Sequence, residues 1–97
     1  MSDFIPNSFQ TPNAYVDRFM ALLSPEEFVV LTYTVRRILG FNKRQDRISL
    51  SQYTDGTRGA NDEVYDNGTG LSRAGVADAL KNLITYGLIV KIGENNN

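Results

Sequence analysis

From Leu71 to Ile92 the chain reads LSRAGVADALKNLITYGLIVKI, and its apolar positions change period partway along. Val76, Leu80, Leu83 and Ile84 recur at helical spacing and so predict one buried side of a helix. Ser72 is placed to cap it, because its hydroxyl can accept from first-turn N–H groups that lack a partner. Gly87 stands where a left-handed residue would end the helix at little cost. Leu88-Ile89-Val90 and Ile92 then predict a strand. The outward face carries Ala74, Asp78, Lys81 and Thr85. A capped helix followed at once by Gly and an apolar strand is the pattern of a recognition helix entering the wing of a winged helix-turn-helix.

Upstream the same period predicts two further helices. Asn13 is a cap candidate for the first, which would run to about Leu23 with Tyr15, Phe19, Leu22 and Leu23 on one side. Ser24-Pro25-Glu26-Glu27 combines a cap, a proline at the first helical position and a glutamate at the third, which together make a capping box. The helix it starts should reach about Leu39, stop at Gly40, and bury Phe28, Leu31, Val35, Ile38 and Leu39. Val30, Tyr33 and Arg37 fall on its far side, where Val30 and Tyr33 are available to another helix or a second subunit. Ile48-Ser49-Leu50 alternates like a very short strand, and Ser51 is a cap candidate for a short helix through about Thr54.

Two stretches depart from this periodicity. Residues 1–11 hold Phe4, Ile5 and Phe9 around Pro6, with Pro12 following, and prolines favour extended backbone. They predict an arm, either laid on the core or reaching to a second copy. Residues 55–70, DGTRGANDEVYDNGTG, show little period, and a loop of this length in a small domain tends to be functional or mobile. It is acidic: Asp55, Asp62, Glu63 and Asp66 against Arg58 give a net of −3, and Val64 and Tyr65 are the candidates to anchor it as a small hairpin.

Composition narrows the chemistry. Ninety-seven residues form one domain with room for a modest core. The chain has neither Cys nor His, so disulfides, the usual transition-metal ligands and the commonest general base are excluded. A cytoplasmic setting follows as the default, and no apolar run nears the roughly 18 residues of a membrane span. Gly68-Thr69-Gly70 lacks the Lys-Ser/Thr pair of a phosphate loop, and the acids of the 55–70 stretch lack calcium-loop spacing. No catalytic residue, metal site or cofactor is therefore expected, and the chain does not read as an enzyme.

The formal net charge is −1, so a nucleic-acid binder of this composition must concentrate its positive charge locally. Between Arg36 and Arg47 five basic residues (Arg36, Arg37, Lys43, Arg44, Arg47) face one acid, Asp46, a local net of +4. That cluster is either a solvated helix end, where cations favour the dipole, or a phosphate-contacting patch.

NSFQTPNAYVDRFMALLSPEEFVVLTYTVRRILGFNKRQDRISLSQ followed by GTGLSR and ALKNLITYGLI resembles the N-terminal domain of phage replication proteins of the lambda O type. It is also similar to replication-initiator-like winged helices of bacterial genomes and mobile elements. The matching parts are Pro12-Asn13-Ala14, Arg36 to Lys43, Arg47 to Gln52 and Gly70 to Ile89. Of these FNKRQDRISLSQ, residues 41–52, is the specific part, whereas GLSR-type helices are common to many winged-helix regulators. The resemblance spans nearly the whole chain, although Ala74, Gly75 and Asp78 stand where such domains usually carry polar or basic residues, and the 55–70 insertion separates the two helices of the motif. It implies a mainly α fold with a small β element, a winged helix-turn-helix over 12–97, binding duplex DNA at an origin. A C-terminal remainder beyond the wing would recruit helicase-loading partners, and a homodimer is possible within this class.

In that arrangement Ser72, Arg73, Ala74 and Lys81 present the major-groove face, with the fork of Arg73 suited to guanine O6 and N7. Lys43, Arg44, Arg47 and Lys91 hold the backbone, and Ser49, Ser51 and Gln52 donate to phosphates. The other readings are a winged helix used for protein contact or dimerisation, which the near-neutral charge and acidic loop favour, and a transcriptional regulator built on the same domain.

Overall fold

Ser24 opens the longest helix as the sequence predicts. Its hydroxyl accepts from the Glu27 N–H at 3.1 Å, and Glu27 Oε1 accepts from the Ser24 N–H at 2.9 Å. The computed structural model describes residues 11–41 and 43–91, in which this helix, α2, spans Pro25–Ile38. A π-wound turn Tyr15–Phe19 and a single α turn, α1 (Met20–Leu22), precede it. A 3-10 turn, Leu39–Phe41, continues it in place of the abrupt stop expected at Gly40. A short helix α3 (Leu50–Asp55), a 3-10 turn Ala60–Asp62 and α4 (Arg73–Thr85) complete the order. The chain is thus mainly helical. Phe4, Ile5 and Phe9 of the expected arm and Ile92 of the expected strand lie outside the described residues.

The core is built where α4 packs on α2 and α3. Val30, Leu31, Val35, Tyr53, Val76, Ala79 and Leu83 are buried. Leu31, Val35 and Leu83 meet the expectation. Val30, assigned to the far side, is fully buried, whereas Phe28, Ile38 and Leu80 are only half-buried and Leu39 and Ile84 are exposed. The reason is polar residues on the buried stripe. Glu27, Val30, Leu31, Thr34, Val35 and Ile38 follow one i, i+3, i+4, i+7 track, and both polar members are satisfied. Thr34 Oγ1 donates to the Val30 carbonyl at 2.8 Å and lies 2.7 Å from Tyr53 Oη. Glu27 Oε2 accepts from Asn82 Nδ2 at 2.9 Å, which ties the start of α2 to α4.

The first helix also differs from its pattern. Asn13 gives no cap; Ala14 occupies that position with no side-chain bond, and Leu22 is exposed while Tyr15 and Leu23 pack on the core.

The short strand expected at Ile48–Leu50 is a helix start. Ser49, not Ser51, is the cap: its Oγ accepts from the Gln52 N–H at 3.1 Å and Gln52 Oε1 accepts from the Ser49 N–H at 3.1 Å. A Ser-x-x-Gln capping box outweighs a three-residue alternation that has no strand to pair with.

At the far end α4 closes in a Schellman motif. The Gly87 N–H donates to the Ile84 carbonyl at 3.0 Å, the Leu88 N–H donates to the Leu83 carbonyl at 3.0 Å, and Gly87 has φ of 82°. Ser72 caps its start, accepting from the Gly75 N–H at 3.0 Å. No strand forms over 88–91 or elsewhere among the described residues, so the wing is not shown there. A strand needs a ladder partner, and the backbone of 43–48 makes no bond to it.

Candidate nucleic-acid interface

Residues 56–72, between α3 and α4, fold onto the outer side of α2. Arg58 and Val64 form an isolated antiparallel bridge, and the Tyr65 N–H donates to the Thr57 carbonyl at 2.9 Å, so a minimal hairpin does form around Val64. Asp66 carries the attachment. Its Oδ1 accepts from Tyr33 Oη at 2.9 Å and from the Gly68 N–H at 2.8 Å, while Arg37 Nη1 donates to Thr57 Oγ1 at 3.0 Å. Thr69 donates to the Tyr53 carbonyl through both N–H (2.7 Å) and hydroxyl (2.8 Å). Gly56, at φ of 98°, allows the Asp66 carbonyl to approach where any Cβ would collide with it. Burial alone would raise the Asp66 carboxyl, but the hydrogen bonds from Tyr33, Gly68 and Thr57 hold it below its ordinary value.

This network takes apart the basic cluster read from the sequence. Arg37 is half-buried and points inward: besides Thr57 it donates to Tyr33 Oη at 3.3 Å, and its Nη2 lies 3.1 Å from Asp46 Oδ2. That last contact is an ion pair whose angle falls outside hydrogen-bond geometry, since Oδ2 has no hydrogen-bond partner. Burial opposes the charge on Arg37, yet Tyr33 and the carboxylates of Asp46 and Asp66 raise its pKa above the ordinary guanidinium value. Lys43 Nζ lies 3.4 Å from Asp46 Oδ1 and 5.7 Å from the Phe41 ring, over which Arg36 also stacks at 4.6 Å. Asp46 thus faces two of the five cations, leaving Arg44 and Arg47 as the exposed pair without an ion pair among the described residues. A signal was present in the sequence: Tyr33 and Arg37 stand one turn apart on the same helix face, and Asp46 is the sole acid of its segment.

Arg44 and Arg47 line a groove of about 1250 Å³ together with Lys81 and Lys91. The four cations come from three separate parts of the chain, the 43–48 segment, α4 and the stretch after Gly87. The rest of the lining is mixed, with the aliphatic Ile48, Leu80, Ile84, Leu88 and Val90 beside the polar Thr34, Gln45 and Thr85. Ser72, Arg73 and Ala74 are exposed at the other end of α4 and do not line this groove. At 1.5 Å per residue Arg73 lies about 12 Å along the helix axis from Lys81. Asp78 is exposed on the outward side between them. Ser49 and Gln52 are engaged in the α3 capping box, and Ser51 Oγ sits 3.1 Å from Ser49 Oγ.

Among the described residues no three acids gather as a metal site, and no helix is long and apolar enough to cross a membrane. No protein-family model matches the chain, and neither a curated protein nor a solved structure matches it.

Proposed function

We propose that the chain is a DNA-binding domain of the winged helix-turn-helix class, acting in replication initiation as its resemblance to lambda O-type proteins implies. The observation that carries this reading is the convergence of Arg44, Arg47, Lys81 and Lys91 on one side of a helix whose outward face is polar and exposed. In a chain of formal charge −1, four exposed cations along one groove form the local positive field that phosphate binding needs. Arg44, Arg47 and Lys91 then hold the backbone, with Lys81 at the edge of the groove-facing helix. Arg73 and the Ser72–Ala74 turn address base edges. Lys43 has a smaller part, because Asp46 already opposes its charge.

The test is fluorescence anisotropy with random-sequence duplex DNA across a salt series. Log affinity should fall linearly with log salt, and the slope should shrink by about one on replacing Arg47 with Ala. No binding at low salt would sink the proposal. The transcriptional-regulator variant shares this prediction and differs only in the site it selects. A second reading, a protein-interaction module, is favoured by one observation: aliphatic side chains, Ile48, Leu80, Ile84, Leu88 and Val90, share the groove with the four cations. Helicase-loading partners, under the initiator reading, would be met by a further segment of the protein.

A further inference from the structure

The groove and the acidic loop are complementary to each other. At about 1250 Å³ the groove exceeds the roughly 300–1,000 Å³ of a small-molecule pocket, so its size suits a polypeptide. Its rim is cationic, at Arg44, Arg47, Lys81 and Lys91, and the one acid on its lining, Asp46, is already engaged with Arg37 and Lys43. The tip of the 56–72 loop offers the opposite character. Val64 is 53% and Tyr65 64% exposed, beside the exposed carboxylates of Asp62 and Glu63.

A chain's own tip cannot fill its own groove. The loop is held on the Tyr33 and Arg37 side of α2, while Leu31, Val35 and Ile38 from the opposite side of that helix line the groove. We infer that the groove of one copy takes the Asp62–Tyr65 tip of a second copy, with Val64 and Tyr65 on the aliphatic lining and Asp62 and Glu63 against Arg47 and Lys81. Because the tip and the groove lie on different sides of the molecule, the contact either closes reciprocally as a two-fold dimer, tip in groove both ways, or propagates head to tail as a chain or ring of copies. A single hairpin tip buries less than the roughly 1,200 Å² of a stable interface, so association is weak, concentration-dependent and salt-sensitive. This goes beyond the DNA-binding proposal and does not rest on it.

Sedimentation equilibrium of the protein alone, without DNA, tests it over rising concentration at low and high salt. At low salt the weight-average mass should rise above that of the monomer with concentration, and high salt should return it toward the monomer. Two doubly substituted variants carry the specificity. One has Asp62→Asn and Glu63→Lys, asparagine being chosen because position 62 has φ of 61°, which it tolerates. The other has Arg47→Glu and Lys81→Glu. Each alone should stay monomeric with an unchanged circular dichroism spectrum, weakening association by about tenfold or more. An equimolar mixture should recover it through alternating copies. A wild-type protein that remains monomeric at low salt overturns the inference, as does a mixture that fails to recover association.

Discussion

The Tyr33 hydroxyl donates to Asp66 Oδ1 at 2.9 Å, joining the middle of α2 to the far end of the acidic loop. The loop's charge therefore serves a structural purpose at one position, Asp66, while Asp62 and Glu63 stay exposed on the surface. Replacing Tyr33 with Phe removes the donor from a half-buried carboxylate and should lower stability by about 1–2 kcal/mol in urea unfolding. Arg37→Ala should cost more, since it takes the ion-pair contact from buried Asp46 Oδ2 and the hydrogen bond from Thr57 at once. If both variants unfold with the wild type, the loop is not held as described.

Two carboxyls tie stability to acidity. Glu27 is held below its ordinary value of 4.5, first by the Ser24 N–H and then by Asn82, with burial working the other way. Asp66 lies below 3.8 because the hydrogen bonds it accepts outweigh its burial. A group whose folded pKa is depressed stabilises the fold above its unfolded pKa and loses that contribution as pH falls through the folded one. Stability should therefore decline as pH drops below the ordinary carboxylate values, with no corresponding step from pH 6 to 8, where no described side chain has an ordinary titration. Glu27→Gln should flatten this acid limb in thermal melts; an unchanged limb would remove Glu27 from the account.

Val30→Ala should destabilise by about 1–3 kcal/mol, and Leu83→Ala by about 2–5 kcal/mol, because both side chains are fully buried. Leu80→Ala should cost less than Leu83→Ala, since Leu80 is half-buried at the groove. This ordering inverts what hydrophobic pattern alone suggests for Val30 and Leu80. Reversed ranks in denaturant titrations would restore the pattern's phase.

The Ser24 capping box and the Gly87 terminus were legible because each depends on atoms only a few residues apart; the Ser49 box, equally local, was hidden by the strand-like alternation of Ile48–Leu50. Helix phase was less so. Glu27 and Thr34 look like surface residues, and only their distant partners Asn82 and Tyr53 make their burial tolerable. The same holds for the basic cluster, where adjacency along the chain suggested one patch. Arg37 and Lys43 are instead drawn to Asp46, while Lys81 and Lys91 arrive from elsewhere to join Arg44 and Arg47.

Ser49 and Ser51 offer a direct contrast. Ser49→Ala removes an N-cap with a reciprocal glutamine and should cost about 1 kcal/mol. Ser51→Ala should change stability by under about 0.5 kcal/mol, as an exposed surface substitution. Equal effects in paired thermal melts would mean that the start of α3 is misassigned.

Under the proposed DNA-binding role, Arg73, Arg47 and Lys43 should separate, because their surroundings differ. Arg73 is exposed at the start of α4 with no ion pair among the described residues, so its guanidinium is free to form a bidentate contact with guanine. Arg73→Ala should cost about 1–3 kcal/mol on the specific site and relax one base position, leaving random-sequence affinity nearly unchanged. Arg47→Ala should weaken all sequences alike and reduce the salt slope by about one. Lys43→Ala should do less than Arg47→Ala, since Asp46 already opposes the charge of the lysine. Anisotropy titrations on a selected site and on random duplex distinguish all three. Uniform loss from Arg73→Ala would reassign that residue to backbone contact, and a Lys43 effect as large as that of Arg47 would mean that DNA breaks the Asp46 pairing when it binds.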